Sequence, residues 1–208
     1  MHALLSDEER ARAQRFLAPL HRDRFIAAHG VLRRLLGAQL RHDPASLEFS
    51  AGAHGKPRLA GVHQASGLEF NLSHSGNLAL LGCAWGRELG VDIEMCRSLG
   101  DEAALVRRYF SPAEQHAYTS LSPAARTAGF FQCWTRKEAY IKAVGRGLGL
   151  PLDSFDVSLG DGVPAQLLRA SAEEASRQWS LAAADVGPAA CAAVVLAAGQ
   201  CQLFACDV

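Results

Sequence analysis

The chain has 208 residues, of which 49% are hydrophobic and 20% are charged, and its formal net charge at pH 7 is zero. This composition is typical of a globular protein with a substantial core, and the balanced charge gives no general reason to bind nucleic acid or a membrane surface. The first residues lack the basic and apolar regions of a signal peptide, so we expect a cytoplasmic protein whose cysteines are reduced. We also expect a monomer.

The first half of the chain predicts helices followed by short strands. The segment Ser6-Asp7-Glu8-Glu9 has the pattern of a helix-capping box, and hydrophobic spacing predicts a second helix from Asp23 to about Leu40. Strands are predicted at residues 47–49, 68–72, 78–85 and 89–94. We expect a glycine-containing basic loop at residues 52–57 and a polar turn at residues 73–77.

The second half predicts helices first and strands afterwards. Helices are expected at 102–109, from Ser111-Pro112, and from Ser122-Pro123 into a long helix that glycines end at 145–149. Strands follow at 155–159, 178–182 and 192–196. Because helices and strands occur in two similar series, we expect an α+β fold with an N-terminal half at 1–97 and a C-terminal half at 98–208, packed as one body.

Acidic residues on two distant segments are candidates for a metal site. Asp92 and Glu94 alternate with apolar residues on a predicted strand, so their side chains share one face. Glu138 falls within the apolar stripe of the long helix, where a carboxylate is costly unless it is paired or binds a metal, and Lys142 follows one turn later. Carboxylate oxygens suit Mg²⁺. Each acid alone is better explained as a solvated or ion-paired side chain, and only the combination indicates metal-assisted phosphate chemistry.

Two loops add weaker signals for phosphate binding. Ser73 and His74 stand beside a glycine directly after a strand, where hydroxyl and backbone N–H groups can hold a phosphate. Lys56-Pro57 by itself indicates only a turn, and Arg24 by default lies on the solvated edge of an amphipathic helix.

Four short motifs in order make the sequence recognisable. They are GKP at 55–57, NLSHS at 71–75, GVDIE at 90–94 and WTRKEAYIK at 134–142. In this order they resemble the Sfp-type phosphopantetheinyl transferase family, and the resemblance covers roughly residues 20 to 160. It implies an α+β fold of two halves related by a pseudo-twofold axis, with coenzyme A in the cleft between them.

The resemblance also implies an activity. The family transfers the 4'-phosphopantetheine arm of coenzyme A to a serine of an apo acyl or peptidyl carrier protein and releases adenosine 3',5'-bisphosphate. Asp92, Glu94 and Glu138 would bind Mg²⁺ at the pyrophosphate. Glu138 would accept the proton of the serine hydroxyl, directly or through a water, and Lys142 would offset the developing charge.

Coenzyme A contacts follow from the same resemblance. Lys56 and Pro57 would line the adenosine pocket. Ser73 and His74 would hold phosphates, His74 the 3'-phosphate, with assistance from Arg24. Arginines could complement an acidic carrier protein or could simply keep a neutral protein soluble. These arginines are Arg97, Arg107, Arg108, Arg136 and Arg146.

Two other functions fit some of the same residues. A Mg²⁺-dependent phosphoesterase could use the three acids to activate water and cleave coenzyme A or a related nucleotide without an acceptor protein. A non-catalytic coenzyme A-binding module would need the phosphate-holding loops, but it would not need both Glu138 and Lys142. The type of carrier protein, from fatty acid, polyketide or nonribosomal peptide synthesis, stays open.

Overall fold

The computed structural model describes residues 1–52 and 54–198, and for Leu148 it describes the backbone only. These residues form two compact units. Unit 1 contains Met1–Ala51 and Pro57–Gly67, and unit 2 contains residues 52, 54–56 and 68–198. This division reflects packing, so internal similarity between the halves 1–97 and 98–208 stays a prediction. None of the described helices is both long and apolar enough to span a membrane.

Unit 1 consists of two helices and a small hairpin. The predicted capping box is confirmed at the start of α1 (Asp7–Gln14), where Ser6 and Glu9 exchange side-chain and backbone hydrogen bonds. Helix α2 (Pro19–Leu40) begins four residues before the predicted start, because proline is well suited to the first helical position. Strands β1 (Phe49–Ala51) and β2 (Pro57–Leu59) pair antiparallel.

A buried arginine holds unit 1 together. The Arg33 side chain is 1% exposed, and its Nε donates to Oε2 of Glu9 at 2.7 Å. Its Nη1 donates to the carbonyls of Pro44 at 3.0 Å and Leu47 at 2.9 Å. His29 also binds the Glu9 carboxylate, with Nδ1 and Oε1 2.9 Å apart. The Glu9 side chain therefore links α1 to two residues of α2, and Arg33 extends that link to the segment before β1.

Unit 2 contains the remaining helices and strands. Its strands are β3 (Leu68–Ser75), β4 (Leu78–Trp85), β5 (Leu89–Met95), β6 (Asp156–Val157), β7 (Leu167–Arg169), β8 (Trp179–Ala183) and β9 (Ala190–Ala197). Its helices are α3 (Glu102–Tyr109), α4 (Pro112–Thr119) and α5 (Arg126–Val144). Antiparallel pairs join β3 to β4 and β6 to β7, and a three-stranded sheet has the order β5-β9-β8. The predicted α+β class is confirmed.

The core of unit 2 surrounds α5. Buried aromatic residues from this helix and from neighbouring segments pack with the inward side chains of β9. They are Phe110, Tyr118, Phe130, Phe131, Tyr140 and Phe155. Helix α5 ends at Gly145, whose φ of 75° is the left-handed conformation expected of a C-terminal glycine. The core thus fixes the helix that carries Glu138 and Lys142.

Some predicted boundaries are wrong. The expected turn at 73–77 is only Gly76-Asn77, and β3 continues through Ser75. The strand expected at 155–159 is confined to β6, and β7 was not predicted because its three residues have no distinctive pattern. The four described cysteines that were expected to be reduced are free thiols, and Cys201 and Cys206 lie outside the described residues.

Candidate active site on β5 and α5

Strand β5 and helix α5 pack directly against each other at Gly90. A Cβ atom at this position would lie 2.3 Å from the backbone nitrogen of Ala143, a distance that no side chain tolerates. Only glycine therefore permits this approach. Because side chains alternate along a strand, Asp92 and Glu94 lie on the same face as Gly90 and point towards α5.

Asp92 is the best-defined candidate. Its side chain is 6% exposed, and its Oδ1 accepts hydrogen bonds from Lys142 Nζ at 2.6 Å and from Ser73 Oγ at 2.8 Å. The other oxygen, Oδ2, is buried and has no hydrogen-bond partner among the described residues. Burial raises the pKa of Asp92, and the opposing effects of Lys142 and Ser73 are smaller. This carboxylate is therefore held in place with one oxygen unused.

Glu94 and Glu138 add negative charge to the same place. Glu94 is half-buried, and its Oε2 accepts from Ser75 Oγ at 2.7 Å. Glu138 is also half-buried, and its pKa is raised first by burial and then by the charge of Asp92, with a further increase from Glu94. The three predicted acids are thus close enough to repel one another. They do not form a ready-made metal cage, because no cluster of three metal-ligating side chains occurs in the described ranges.

Two lysines reach strand β5. Lys142, whose side chain is 28% exposed, binds Asp92 and also donates to Ser73 Oγ at 3.2 Å. Lys56 donates from Nζ to the carbonyl of Leu89 at 2.7 Å, at the beginning of the strand. The structure therefore brings two of the predicted cationic residues to the beginning and the middle of the strand that carries the acids.

The remaining predicted contacts are more dispersed. Ser73 is buried and points towards Asp92, but His74 is exposed on the opposite face of β3. The expectation that both lie in one turn is wrong, since strand alternation separates their side chains. Arg24 is half-buried and Pro57 is exposed, and both belong to unit 1. Their roles, and that of His74, stay predictions.

Sequence reasoning missed a set of side-chain bonds that joins β3 to β5. Asn71 Oδ1 accepts from the backbone nitrogen of Val91 at 2.8 Å, Ser73 donates to Asp92, and Ser75 donates to Glu94. Partners are separated by 19 or 20 residues throughout, so the two strands run parallel. The alternation Asn-x-Ser-x-Ser at 71–75 was the available signal, but a turn was favoured because these residues are common in turns.

The sequence also gave no role to Lys137, which directly precedes Glu138. Lys137 is completely buried, and its Nζ pairs with Oε2 of Glu114 at 2.7 Å. It also donates to the carbonyls of Leu152 at 2.6 Å and Phe155 at 2.9 Å. Because successive helix residues point in different directions, Lys137 supports the core while Glu138 contributes to the site.

The expected surface role of Arg136 is wrong. Arg136 is 5% exposed and donates to the carbonyl of Ser158 at 2.6 Å, so it is a core residue. Arg97, Arg107 and Arg108 are exposed, as a docking surface requires. Arg146 is half-buried and pairs with Glu173.

Comparison with known proteins gives a consistent result. Residues 88–195 match the family described as the 4'-phosphopantetheinyl transferase superfamily, and residues 1–85 match the family described as 4'-phosphopantetheinyl transferase, N-terminal. The chain is 42% identical over 179 residues to 4'-phosphopantetheinyl transferase HetI of Nostoc, covering 86% of this chain and 73% of the relative. It is 32% identical over 158 residues to 4'-phosphopantetheinyl transferase Sfp of Bacillus subtilis, covering 76% of this chain and 67% of the relative.

Similarity to solved structures is more distant. A holo-(acyl-carrier-protein) synthase from Bacillus anthracis in complex with CoA is 20% identical, with a TM-score of 0.43, and the match covers 53% of this chain and 94% of that chain. A Chronobacterium ammoniagenes ACPS-CoA complex is 17% identical, with a TM-score of 0.42, and the match covers 55% of this chain and 98% of that chain.

Proposed function

The chain belongs to the 4'-phosphopantetheinyl transferase superfamily, and from this premise we propose that it transfers the 4'-phosphopantetheine arm of coenzyme A to a serine of apo acyl or peptidyl carrier proteins. The other product is adenosine 3',5'-bisphosphate. The reaction breaks the phosphoanhydride bond of coenzyme A and forms a phosphodiester bond to the serine oxygen.

One observation carries the proposal. The buried Asp92 carboxylate binds the Lys142 ammonium through Oδ1, and its Oδ2 has no partner in the part of the chain that the structure describes; Glu94 and Glu138 interact with it electrostatically. Burial and then the neighbouring acid raise the pKa of Asp92, and an added cation would stabilise its charged form. A site that combines excess negative charge with a partly exposed lysine therefore suits a diphosphate accompanied by a divalent metal ion.

Mg²⁺ fits this set of donors. It is usually held by one or two carboxylates together with substrate phosphate oxygens, and not by a cage made entirely of protein ligands. Oδ2 of Asp92 and the neighbouring carboxylate of Glu94 would hold the ion, and Glu138 would complete the acidic set. When bound, Mg²⁺ would offset the charge of the diphosphate during transfer.

Residues of the chain itself perform the other steps. Serine is a poor nucleophile at neutral pH, so its proton must be accepted by a base. Glu138 is suited to this role because burial raises its pKa towards neutral pH. The Lys142 ammonium, fixed by Asp92 and Ser73, would stabilise negative charge on the departing bisphosphate.

Five residues are proposed to contact coenzyme A. Lys56 and Pro57 would contact the adenosine, and Ser73 and His74 would contact phosphates, with Arg24 assisting. The exposed arginines would attract an acidic carrier protein, so transfer should slow as salt rises. We expect this to occur in the cytoplasm, with the enzyme as a monomer.

The test is incubation with coenzyme A, Mg²⁺ and a panel of apo carrier proteins, followed by intact-mass spectrometry of each carrier. We expect the mass of phosphopantetheine to be added to at least one carrier, and mutation of the acceptor serine to prevent it. A parallel reaction without carrier distinguishes the hydrolase alternative. Breakdown of coenzyme A without a carrier, with no modified carrier in the complete reaction, would overturn the proposal in favour of a phosphoesterase.

A further inference from the structure

Ser75, the last residue of β3, is bonded to β5 in two ways. Its hydroxyl donates to Oε2 of Glu94 at 2.7 Å, and the same oxygen accepts from the backbone nitrogen of Met95 at 3.1 Å. A serine hydroxyl has one proton to donate, and in this geometry it donates the hydrogen bond to the carboxylate. Rotation of the Ser75 side chain would break both bonds together, so the hydroxyl has a fixed direction.

Among the described residues, little else holds the Glu94 side chain. It is 28% exposed, and its ion pair there, with Arg97 Nη1, has a distance of 3.7 Å, which is too long for a hydrogen bond. Arg97 is itself 60% exposed. A long side chain with such weak contacts would sample several rotamers, and ordering it would oppose ligand binding. Ser75 therefore supplies the one short side-chain hydrogen bond to this carboxylate within the described residues.

Glu94 depends more on its serine partner than Asp92 does. Ser73 donates to Asp92 at the same sequence separation at which Ser75 donates to Glu94, so alternate hydroxyls of β3 meet alternate carboxylates of β5. Asp92, however, is buried and is also held by Lys142. Loss of one hydroxyl should therefore disturb Glu94 more than Asp92.

We propose that Ser75 is a positioning residue that orients the Glu94 carboxylate for a divalent cation. This inference rests on the proposed function, in which Glu94 is a ligand of that cation. The bond engages Oε2 and leaves Oε1 available as the ligand oxygen. Hydrogen-bonded partners of metal-binding carboxylates typically contribute about 10- to 100-fold to metal affinity. Because Glu94 is partly exposed, we expect a loss of about tenfold when the Ser75 hydroxyl is removed.

The test measures metal binding without any transfer reaction. Mn²⁺ is titrated into enzyme that is saturated with coenzyme A, with no carrier protein present, and free Mn²⁺ is followed by electron paramagnetic resonance. Ser75→Val and Ser75→Thr form a matched pair, because the two side chains have nearly the same shape and only threonine keeps the hydroxyl. Ser120→Ala is the control, since the Ser120 hydroxyl is exposed and donates to the carbonyl of His116.

We expect Ser75→Val and Ser75→Ala to bind Mn²⁺ about tenfold more weakly, and Ser75→Thr and Ser120→Ala to stay within about twofold of the wild type. Thermal melting without metal should show that the variants are folded. In the transfer assay, Ser75→Val should need more Mg²⁺ for half-maximal rate but approach the wild-type rate at saturating Mg²⁺.

Each result has a definite meaning. Equal Mn²⁺ affinity of Ser75→Val and Ser75→Thr would overturn the positioning role, provided that Glu94→Gln weakens binding. If Glu94→Gln binds as tightly as the wild type, Glu94 is not a ligand, and the metal site of the proposed function fails together with the inference. An activity loss in Ser75→Val that saturating Mg²⁺ does not reduce would also contradict positioning.

Discussion

Gly90 lies so close to Ala139 that a Cβ atom on the glycine would be 2.1 Å from the alanine carbonyl oxygen. This carbonyl belongs to the backbone of α5, so it cannot move aside as the end of a flexible side chain could. At this point the backbone of the strand with the acids therefore contacts the backbone of the helix with Glu138 and Lys142 directly. Their spacing sets how far the acids of one element lie from the functional groups of the other.

Gly90→Ala should consequently weaken both the fold and the activity. Overpacking of a tight core typically costs about 1–3 kcal/mol in the free energy of unfolding, and the shift of α5 should also slow transfer. Urea denaturation and the carrier mass assay measure the two effects. Gly100→Ala is the matched control, because a Cβ there would meet nothing within 4 Å. Equal stability and transfer rate of the two variants would show that β5 and α5 tolerate a wider separation.

Asp92→Ala and Glu138→Ala should each abolish transfer without unfolding the chain. Asp92→Ala removes the oxygen that we assign to the metal and also the carboxylate that binds Lys142. Glu138→Ala removes the carboxylate that we assign as the base. Intact mass of the carrier protein measures transfer, and circular dichroism checks the fold. Near-normal turnover of either variant would remove that residue from the mechanism.

Lys137→Met should destabilise the protein strongly. The change leaves Glu114 buried without its counter-charge, and breaking one side of a buried ion pair typically costs about 3–5 kcal/mol in the free energy of unfolding. Urea denaturation measures this value. Arg22→Ala breaks an exposed pair with Asp23 and should change stability by less than about 1 kcal/mol. If both variants were equally stable, the buried pair would have no structural importance.

The stability of unit 1 should depend on acidic pH through Glu9. Burial alone would raise the pKa of Glu9, but hydrogen bonds from His29, the Ser6 backbone and Arg33 lower it from 4.5 to about 2. The fold therefore favours the charged carboxylate. Its contribution to stability is fully present above pH 4.5 and is lost as the pH falls through about 2.

The measurement compares the wild type with Glu9→Gln by urea denaturation between pH 6 and pH 2. The wild type should be more stable at pH 6, and the difference should shrink steadily as the pH falls below 4.5. A difference that stays constant over this range would contradict a lowered pKa at Glu9.

Local patterns in the sequence predicted the fold well where the deciding interactions are themselves local. The predicted capping box at Ser6 and Glu9 is confirmed because the two residues are only three apart, and the helix predicted from Ser111-Pro112 also begins with a capping box, between Ser111 and Glu114. The ion pair between Glu114 and Lys137 could not be predicted, since it joins two helices and depends on which face of α5 is buried. The same reason explains the error at Arg136, which is charged but points into the core.

The candidate site was predicted in part. The alternation of acids on β5 placed Asp92 and Glu94 on one face, and the contact of Asp92 with Lys142 agrees with the expected meeting of the two segments. The hydroxyl partners on β3 were assigned to a turn, because Ser, His, Gly and Asn favour turns by composition. A hairpin needs only two residues for its turn, so Ser73 and Ser75 stay in the strand and face the acids.

The Glu114 carboxylate has bonding partners in three different segments. Its carboxylate receives the Ser111 backbone N–H that caps α4, the Val157 backbone N–H of β6 and the ammonium of Lys137. The first turn of α4, the short strand β6 and the middle of α5 consequently share one anion. None of them can open without removing a bonding partner from this buried carboxylate, so this part of the molecule should unfold as a single cooperative block and not by fraying from the end of a helix.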